Sequence, residues 1–227
     1  MFRILIVEDV EDTLHQLVTF ISECFSDIGE GTISEIHGAL SATQGRKFIE
    51  EAFGQKQPYD AVILDLNLPD QIGLPARVDE SVCSMIVTLM PSTLIAHITA
   101  YQDDDVVREH LQKAHFENVA SDCVVFSKVD YEYPIHLVEH LKTTFLGRRL
   151  EEHMNKIWGD CSPAFLATSR RRGVGDERSR AHELAALRRD IEANWAYLDE
   201  RVQRRIRDTF KVDTTGGRVT INLLREI

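Results

Sequence analysis

Ala61-Val62-Ile63-Leu64-Asp65-Leu66-Asn67-Leu68-Pro69 is the stretch from which the fold can be read. Its unbroken apolar run, Ala61 to Leu64, reads as a strand buried on both faces, and it ends in a carboxylate where such a strand leaves its sheet. Asn67 offers a polar group two residues on, Pro69 stops strand pairing, and Gly73 permits a tight turn. Taken alone, Asp65 reads equally well as a helix-capping Asp at the start of a loop. The rest of the chain decides between the two.

Working outward, Arg3 to Val7 reads as another buried strand, with Glu8 and Asp9 at its end and Glu11 and Asp12 just beyond. Leu14, Leu17, Val18 and Ile21 then recur at helical spacing over residues 13–26. Ile33 to Ile36 is a short strand, and Ala39 to Phe53 a second amphipathic helix. After Gly73, Val82, Met85, Ile86 and Leu89 mark a helix over residues 81–89. Leu94 to Ile98 is a strand delivering Thr99 and Ala100, and Asp103 begins a helix to about Ala114. Cys123 to Phe126 is a last strand, delivering Ser127 and Lys128, and Pro134 opens a long helix. Strands alternating with helices predict a doubly wound, five-stranded parallel sheet whose ligands bind at the carboxyl ends of the strands. Every candidate group falls on that one edge.

Glu8, Asp9 and Asp65 in one crevice would repel one another unless a divalent cation sat among them, and hard oxygen ligands select magnesium. Two carboxylates and the Asn67 backbone carbonyl suffice on the protein side, with waters and a phosphoryl oxygen completing the shell. Were Asp65 to take a phosphoryl group, Lys128 would pair with one of its oxygens and the Thr99 hydroxyl would donate to another.

These residues resemble the receiver domain of two-component response regulators, a flavodoxin-like fold. The matching motifs are Ile4-Leu5-Ile6-Val7-Glu8-Asp9, Asp65-Leu66-Asn67-Leu68-Pro69 with Gly73, Thr99-Ala100 and Ser127-Lys128, in the family's order, over residues 2 to about 146. The resemblance implies that Asp65 accepts phosphate from a histidine kinase or phosphotransfer protein, that Glu8 and Asp9 hold magnesium, that Thr99 switches and that Lys128 senses the phosphoryl group. It also implies that Asn67 and Tyr101 tune how long the phosphate survives, and that the protein is a cytoplasmic signalling protein rather than an enzyme. The departures are Val129, where receivers usually place Pro after the lysine, and Val125, where they tend to carry an aromatic. The spacings from Asp9 to Asp65 and from Thr99 to Lys128 exceed those of a minimal receiver, which puts extra residues into the connections. A receiver kept only as an interaction platform is therefore a rival reading. A haloacid-dehalogenase-like phosphatase is another, but it needs an acid where Asn67 stands, and an amide cannot transfer that proton.

Composition divides the chain. Over 227 residues the net charge is -11, but residues 1–146 carry 9 Lys/Arg against 24 Asp/Glu, and residues 147–227 carry 17 against 13. Cys24, Cys83, Cys123 and Cys161 form no Cys-x-x-Cys pair, which argues against a zinc ribbon or a disulfide framework and fits a reducing compartment. The apolar start meets Glu8 at once, too short for a signal peptide or a membrane span. His136, Glu139 and His140 match a His-x-x-Glu-His zinc pattern, but no third ligand is evident.

The expected organisation is a receiver at 1–146, an extension and basic linker at 147–180, and an output region at 181–227. The helix from Pro134 runs to about Trp158. A short helix at Ser162 precedes a linker over residues 168–179 that holds Arg170, Arg171 and Arg172, candidates for contact with nucleic-acid phosphates against the plainer reading of a solvated linker. From His182 to Phe210, Leu184, Leu187, Ile191, Trp195, Leu198, Val202, Ile206 and Phe210 advance by threes and fours. They predict one helix of about 45 Å. Thr214-Thr215-Gly216-Gly217 then closes a small hairpin. An apolar stripe with a solvated charged face favours a homodimer or a docked partner protein. The alternative, a DNA-binding module of winged-helix kind, lacks a visible helix-turn-helix.

Overall fold

The computed structural model describes residues 2–26, 33–101, 105, 109, 123–160, 185–186, 188–189, 191–198, 200–214 and 219–223. Of the expected helix from Asp103 to Ala114 the described residues include Asp105 and Glu109, both helical, and the rest lies outside them, as do the helix at Ser162, the basic linker and Arg170 to Arg172. By backbone contacts the chain divides into two compact units, Met1–Val138 and Glu139–Ile227.

In the first unit β1 (Phe2–Val7), α1 (Glu11–Ser26), β2 (Ile33–Ala39), α2 (Ala42–Gly54) and β3 (Ala61–Asp65) follow in order. After them come β4 (Asn67–Leu68), β5 (Arg77–Val78), α3 (Ser81–Leu89), β6 (Leu94–Thr99) and β7 (Cys123–Ser127). The five long strands form one parallel sheet in the order β2-β1-β3-β6-β7. All five residues of β3 and all six of β6 are buried, which is why these strands read as largely apolar runs, with His97 the polar residue inside β6.

Alternation along the strands assigns the helices to faces. Leu5, Val7, Val62 and Leu64 share a core with Ala42, Ile49 and Ala52 of α2 and Val82 and Ile86 of α3. On the other face, Gly38 is paired with Ile6, and Leu14 of α1 covers it so closely that a Cβ there would lie 2.9 Å from Leu14 Cδ2. α2 starts with Ser41 accepting from the Gln44 amide while Gln44 Oε1 accepts from the Leu40 amide, a reciprocal cap. Gly45 lets this first turn approach β1, since a Cβ would meet both Val7 methyls at 3.2 Å.

One element is added and one expectation corrected. β3 ends at Asp65 and pairing stops before Pro69 as read, but Asn67–Leu68 pairs antiparallel with Arg77–Val78, so the residues after β3 form a short ribbon that turns through Gly73 at φ +88. Two-residue strands carry no periodicity, which hid them. The helix expected from His182 to Phe210 is interrupted: helical residues up to Asn194 pass into a 3-10 turn at Trp195–Tyr197, Leu198 is extended, and a new helix runs from Glu200 to Thr209.

The second unit holds most of α4 (Tyr133–Asp160), which starts one residue before the expected proline, α5 (Glu200–Thr209), and the hairpin of β8 (Phe210–Asp213) with β9 (Thr220–Leu223). Gln203 Nε2 donates at 3.0 Å to the carbonyls of both Trp195 and Leu198, satisfying the end that the break exposes. Glu192 Oε1 accepts from the Ile221 amide at 2.9 Å, tying β9 to the preceding helical segment. Ile191, Trp195, Leu198, Ile206, Phe210 and Ile221 are buried. No helix among the described residues is long and apolar enough to cross a membrane.

Candidate functional site

Strand register brings the candidate residues to one edge. Val7 pairs with Leu64, Asp65 with Ile98, and Thr99 with Ser127, so Glu8, Asp65, Thr99 and Lys128 emerge side by side at the carboxyl ends of β1, β3, β6 and β7. Glu8, Asp9 and Asp65 each offer a carboxylate oxygen within 4.8 Å of the others. Lys128 Nζ lies 2.5 Å from Asp65 Oδ2 and 2.7 Å from Glu8 Oε2. Lys128 is fixed from behind by its own N–H, which donates to Thr99 O at 2.8 Å.

Burial governs the protonation of these groups. Glu8 is fully buried and Asp65 is 5% exposed, and loss of water raises both carboxyls above their ordinary values, although Lys128 pulls each back. Burial works against the charge on Lys128, yet Asp65 and then Glu8 outweigh it and raise the ammonium. Two carboxylates thus share one cation in a dry crevice, with Asp9 beside them. The surplus of hard oxygen donors fits a divalent cation such as magnesium.

Asn67 takes a defined place. Its N–H donates to Asp65 Oδ1 at 3.0 Å. The Asp79 N–H bonds to Leu66 O, so Leu68 and Arg77 are the next hydrogen-bonded pair and Asn67 with Val78 is not one. The N–H and C=O of an extended residue point the same way, so the Asn67 carbonyl faces the Asp65 side. Thr99 is buried, and its Oγ1 accepts from the Tyr101 N–H at 3.0 Å, which leaves its own proton to donate. The Tyr101 ring is 56% exposed.

Where the sequence departs from the receiver pattern, a turn takes over. Asp130 N donates to Ser127 O at 3.1 Å and Asp130 Oδ1 accepts from the Glu132 amide at 2.9 Å, shaping the loop after Lys128 without a proline, while Val129 stands 71% exposed. Sequence reading missed Tyr133, a phenol raised above its ordinary value by burial and within the field of Lys128, Glu8 and Asp65. No spacing signal marks it. His136 lies 3.7 Å from Glu132, and among the described residues the acidic trio is the one group of three metal-ligating side chains.

No protein-family model matches the chain, and no curated protein matches it. Among solved structures, it is similar to a response regulator receiver domain protein of Clostridium thermocellum at 17% identity, over 66% of this chain and 98% of that one, with a TM-score of 0.47. It is also similar to the non-phosphorylated HemR receiver domain of Leptospira biflexa at 21% identity, over 64% and 94%, with a TM-score of 0.41. A third is a chain of the CheX-CheY-BeF3-Mg complex of Borrelia burgdorferi, at 19% identity over 63% and 89%, with a TM-score of 0.41. The flavodoxin-like fold rests on the strand order and direction seen in this chain itself.

Proposed function

We propose that residues 1–146 form a response-regulator receiver that accepts a phosphoryl group on Asp65. The observation that carries this is the convergence of Asp65 with Glu8, Asp9 and Lys128 at one sheet edge. In the reaction an Asp65 carboxylate oxygen attacks the phosphorus of a phosphohistidine on a kinase or phosphotransfer protein, the P–N bond breaks, and the imidazole nitrogen takes a proton from solvent. Lys128 passes from the Asp65 carboxylate to a phosphoryl oxygen, and the Thr99 hydroxyl donates to another. Glu8, Asp9, Asp65 and the Asn67 carbonyl would hold a magnesium ion, which when bound neutralises charge on the transferring group. The chain is then a phospho-accepting signalling protein of the cytoplasm, and not a substrate-turning enzyme.

The test is incubation of the full chain with magnesium and acetyl phosphate. Intact-protein mass spectrometry at mild pH should show a gain of one phosphoryl group, absent in Asp65→Asn. No gain would leave a receiver fold serving only as a platform.

For residues 181–227 we propose a protein-interaction output, by self-association or by docking of a partner. The break at Trp195–Leu198 favours a second reading, because helix, turn, helix and hairpin now follow in the order of a winged-helix module. Against it, Arg204 pairs with Glu200 and Arg188 with Glu192, each one turn apart on its own helical segment, so these arginines are already matched by acids. Binding of the full chain to random duplex DNA across a salt series separates the two: counterion release predicts affinity falling steeply with salt, whereas the interaction output predicts no binding and, for self-association, a dimer by light scattering.

A further inference from the structure

The ribbon that follows Asp65 leaves the site at Leu66 and returns at Asp79, and both ends converge on one guanidinium. At the outgoing end Arg46 Nη2 donates to Asp70 Oδ1 at 2.7 Å, an oxygen that also accepts from Thr43 Oγ1 at 3.2 Å. The first amides of α2 add to this, Ala42 N donating to Pro69 O at 2.9 Å and Thr43 N to Asp70 O at 3.0 Å. At the returning end Arg46 Nη1 donates to Ser81 Oγ at 2.5 Å and lies 3.8 Å from Asp79 Oδ2. Asp79 is buried and caps α3, its Oδ1 accepting from the Ser81 and Val82 amides at 3.0 and 3.2 Å. Its own N–H donates to Leu66 O at 3.2 Å, one residue beyond Asp65.

We propose that Arg46 is a positioning residue for the Asp65 site: by gripping Asp70 and the Asp79–Ser81 cap with one planar fork, it sets the β4–β5 ribbon and so the direction in which the Asn67 carbonyl faces the carboxylates. The inference rests on the receiver reading, in which that carbonyl is a metal ligand. Buried Leu68, the Asn67 N–H on Asp65 and the α2 amides each hold one point of the ribbon, but β4 and β5 are two residues each and the turn between them is exposed at Ile72 and Leu74, and Arg46 is the side chain that joins the outgoing end to the returning one. A lysine at position 46 would reach one end but lacks the fork to bridge both.

Two readouts on the full chain test this. Calorimetric titration with magnesium should show affinity lower by roughly ten- to a hundredfold in Arg46→Ala, the usual effect of removing a partner that orients a metal ligand. Arg46→Lys should recover only part. Hydrogen exchange in metal-free protein should rise at the Leu68 and Asp79 amides in Arg46→Ala and stay unchanged in β1 and β6. Equal magnesium affinity in wild type and both variants overturns the positioning role, as does unchanged exchange in the ribbon. Failure of the wild type to bind magnesium overturns the metal reading and this role with it, whereas the exchange result still reports whether Arg46 holds the ribbon.

Discussion

Asp65, Glu8 and Lys128 place two negative charges and one positive charge in a crevice largely closed to water. Both carboxyls are raised by burial, so the fold binds protons at these groups more tightly than the unfolded chain does. Their contribution to stability is present at acidic pH and is lost as pH rises through the raised values. Asp65→Asn leaves Glu8 and Lys128 as a neutral pair. In metal-free buffer at pH 7 the variant should therefore equal or exceed the wild type, by about 1 kcal/mol, in denaturant midpoints. The gap should close toward pH 4, and a large loss of stability in the variant at pH 7 would contradict the charge argument. Tyr101 gives a second residue-scale prediction. Its amide is anchored to Thr99 Oγ1 beside the site, and on the proposed receiver reading its ring would border the approach of water to a phosphorylated Asp65. Tyr101→Ala should shorten the phosphoryl lifetime severalfold, a scale set by loss of one water-excluding group. An unchanged decay in a radiolabel chase would show that the ring shields nothing.

Elements were legible where burial imposed a pattern. β1, β3 and β6 announced themselves because strands covered on both faces are mostly apolar, Arg3 and His97 being the polar residues within β1 and β6, and the ends of these strands carry Glu8, Asp65 and Thr99 to one edge. The β4–β5 ribbon was not legible, because Pro69 and Gly73 read as turn signals and two paired residues leave no period. Nor was the break at Trp195: the apolar spacing runs straight through it, no Gly or Pro marks it, and the stabilising group, Gln203, lies five and eight residues downstream of the carbonyls it serves. Gln203→Ala removes both bonds and should cost about 1–2 kcal/mol in chemical denaturation. The contact of α2 with β1 is a second test. Gly45→Ala gains helix propensity of about 1 kcal/mol, but its methyl would press on both Val7 methyls, which β1 holds in place. Overpacking of about 1–3 kcal/mol should win. A lower thermal midpoint is expected, and a higher one would mean that α2 can lift from the sheet.

At the scale of the whole molecule, acidity and the candidate site belong to one unit and basicity to the other. The site residues all precede Val138, while both tryptophans, Trp158 and Trp195, follow it. Trp195 is buried beneath the Arg207 guanidinium, 5.1 Å from its ring centroid, so indole fluorescence reports on the second unit. A cation that binds only the folded first unit stabilises that unit by mass action, by about 2.7 kcal/mol at a hundredfold excess over Kd. Far-UV circular dichroism should accordingly show a melting component that rises with magnesium and stops responding in Asp65→Asn. Tryptophan fluorescence should melt at a midpoint that magnesium leaves in place, because its unit contains none of the candidate ligands. If instead the fluorescence midpoint rises in step with the dichroism, the two units unfold as one cooperative body, and α4, whose residues Tyr133–Asp160 belong to both, is the element through which a phosphoryl group on Asp65 would reach the basic half.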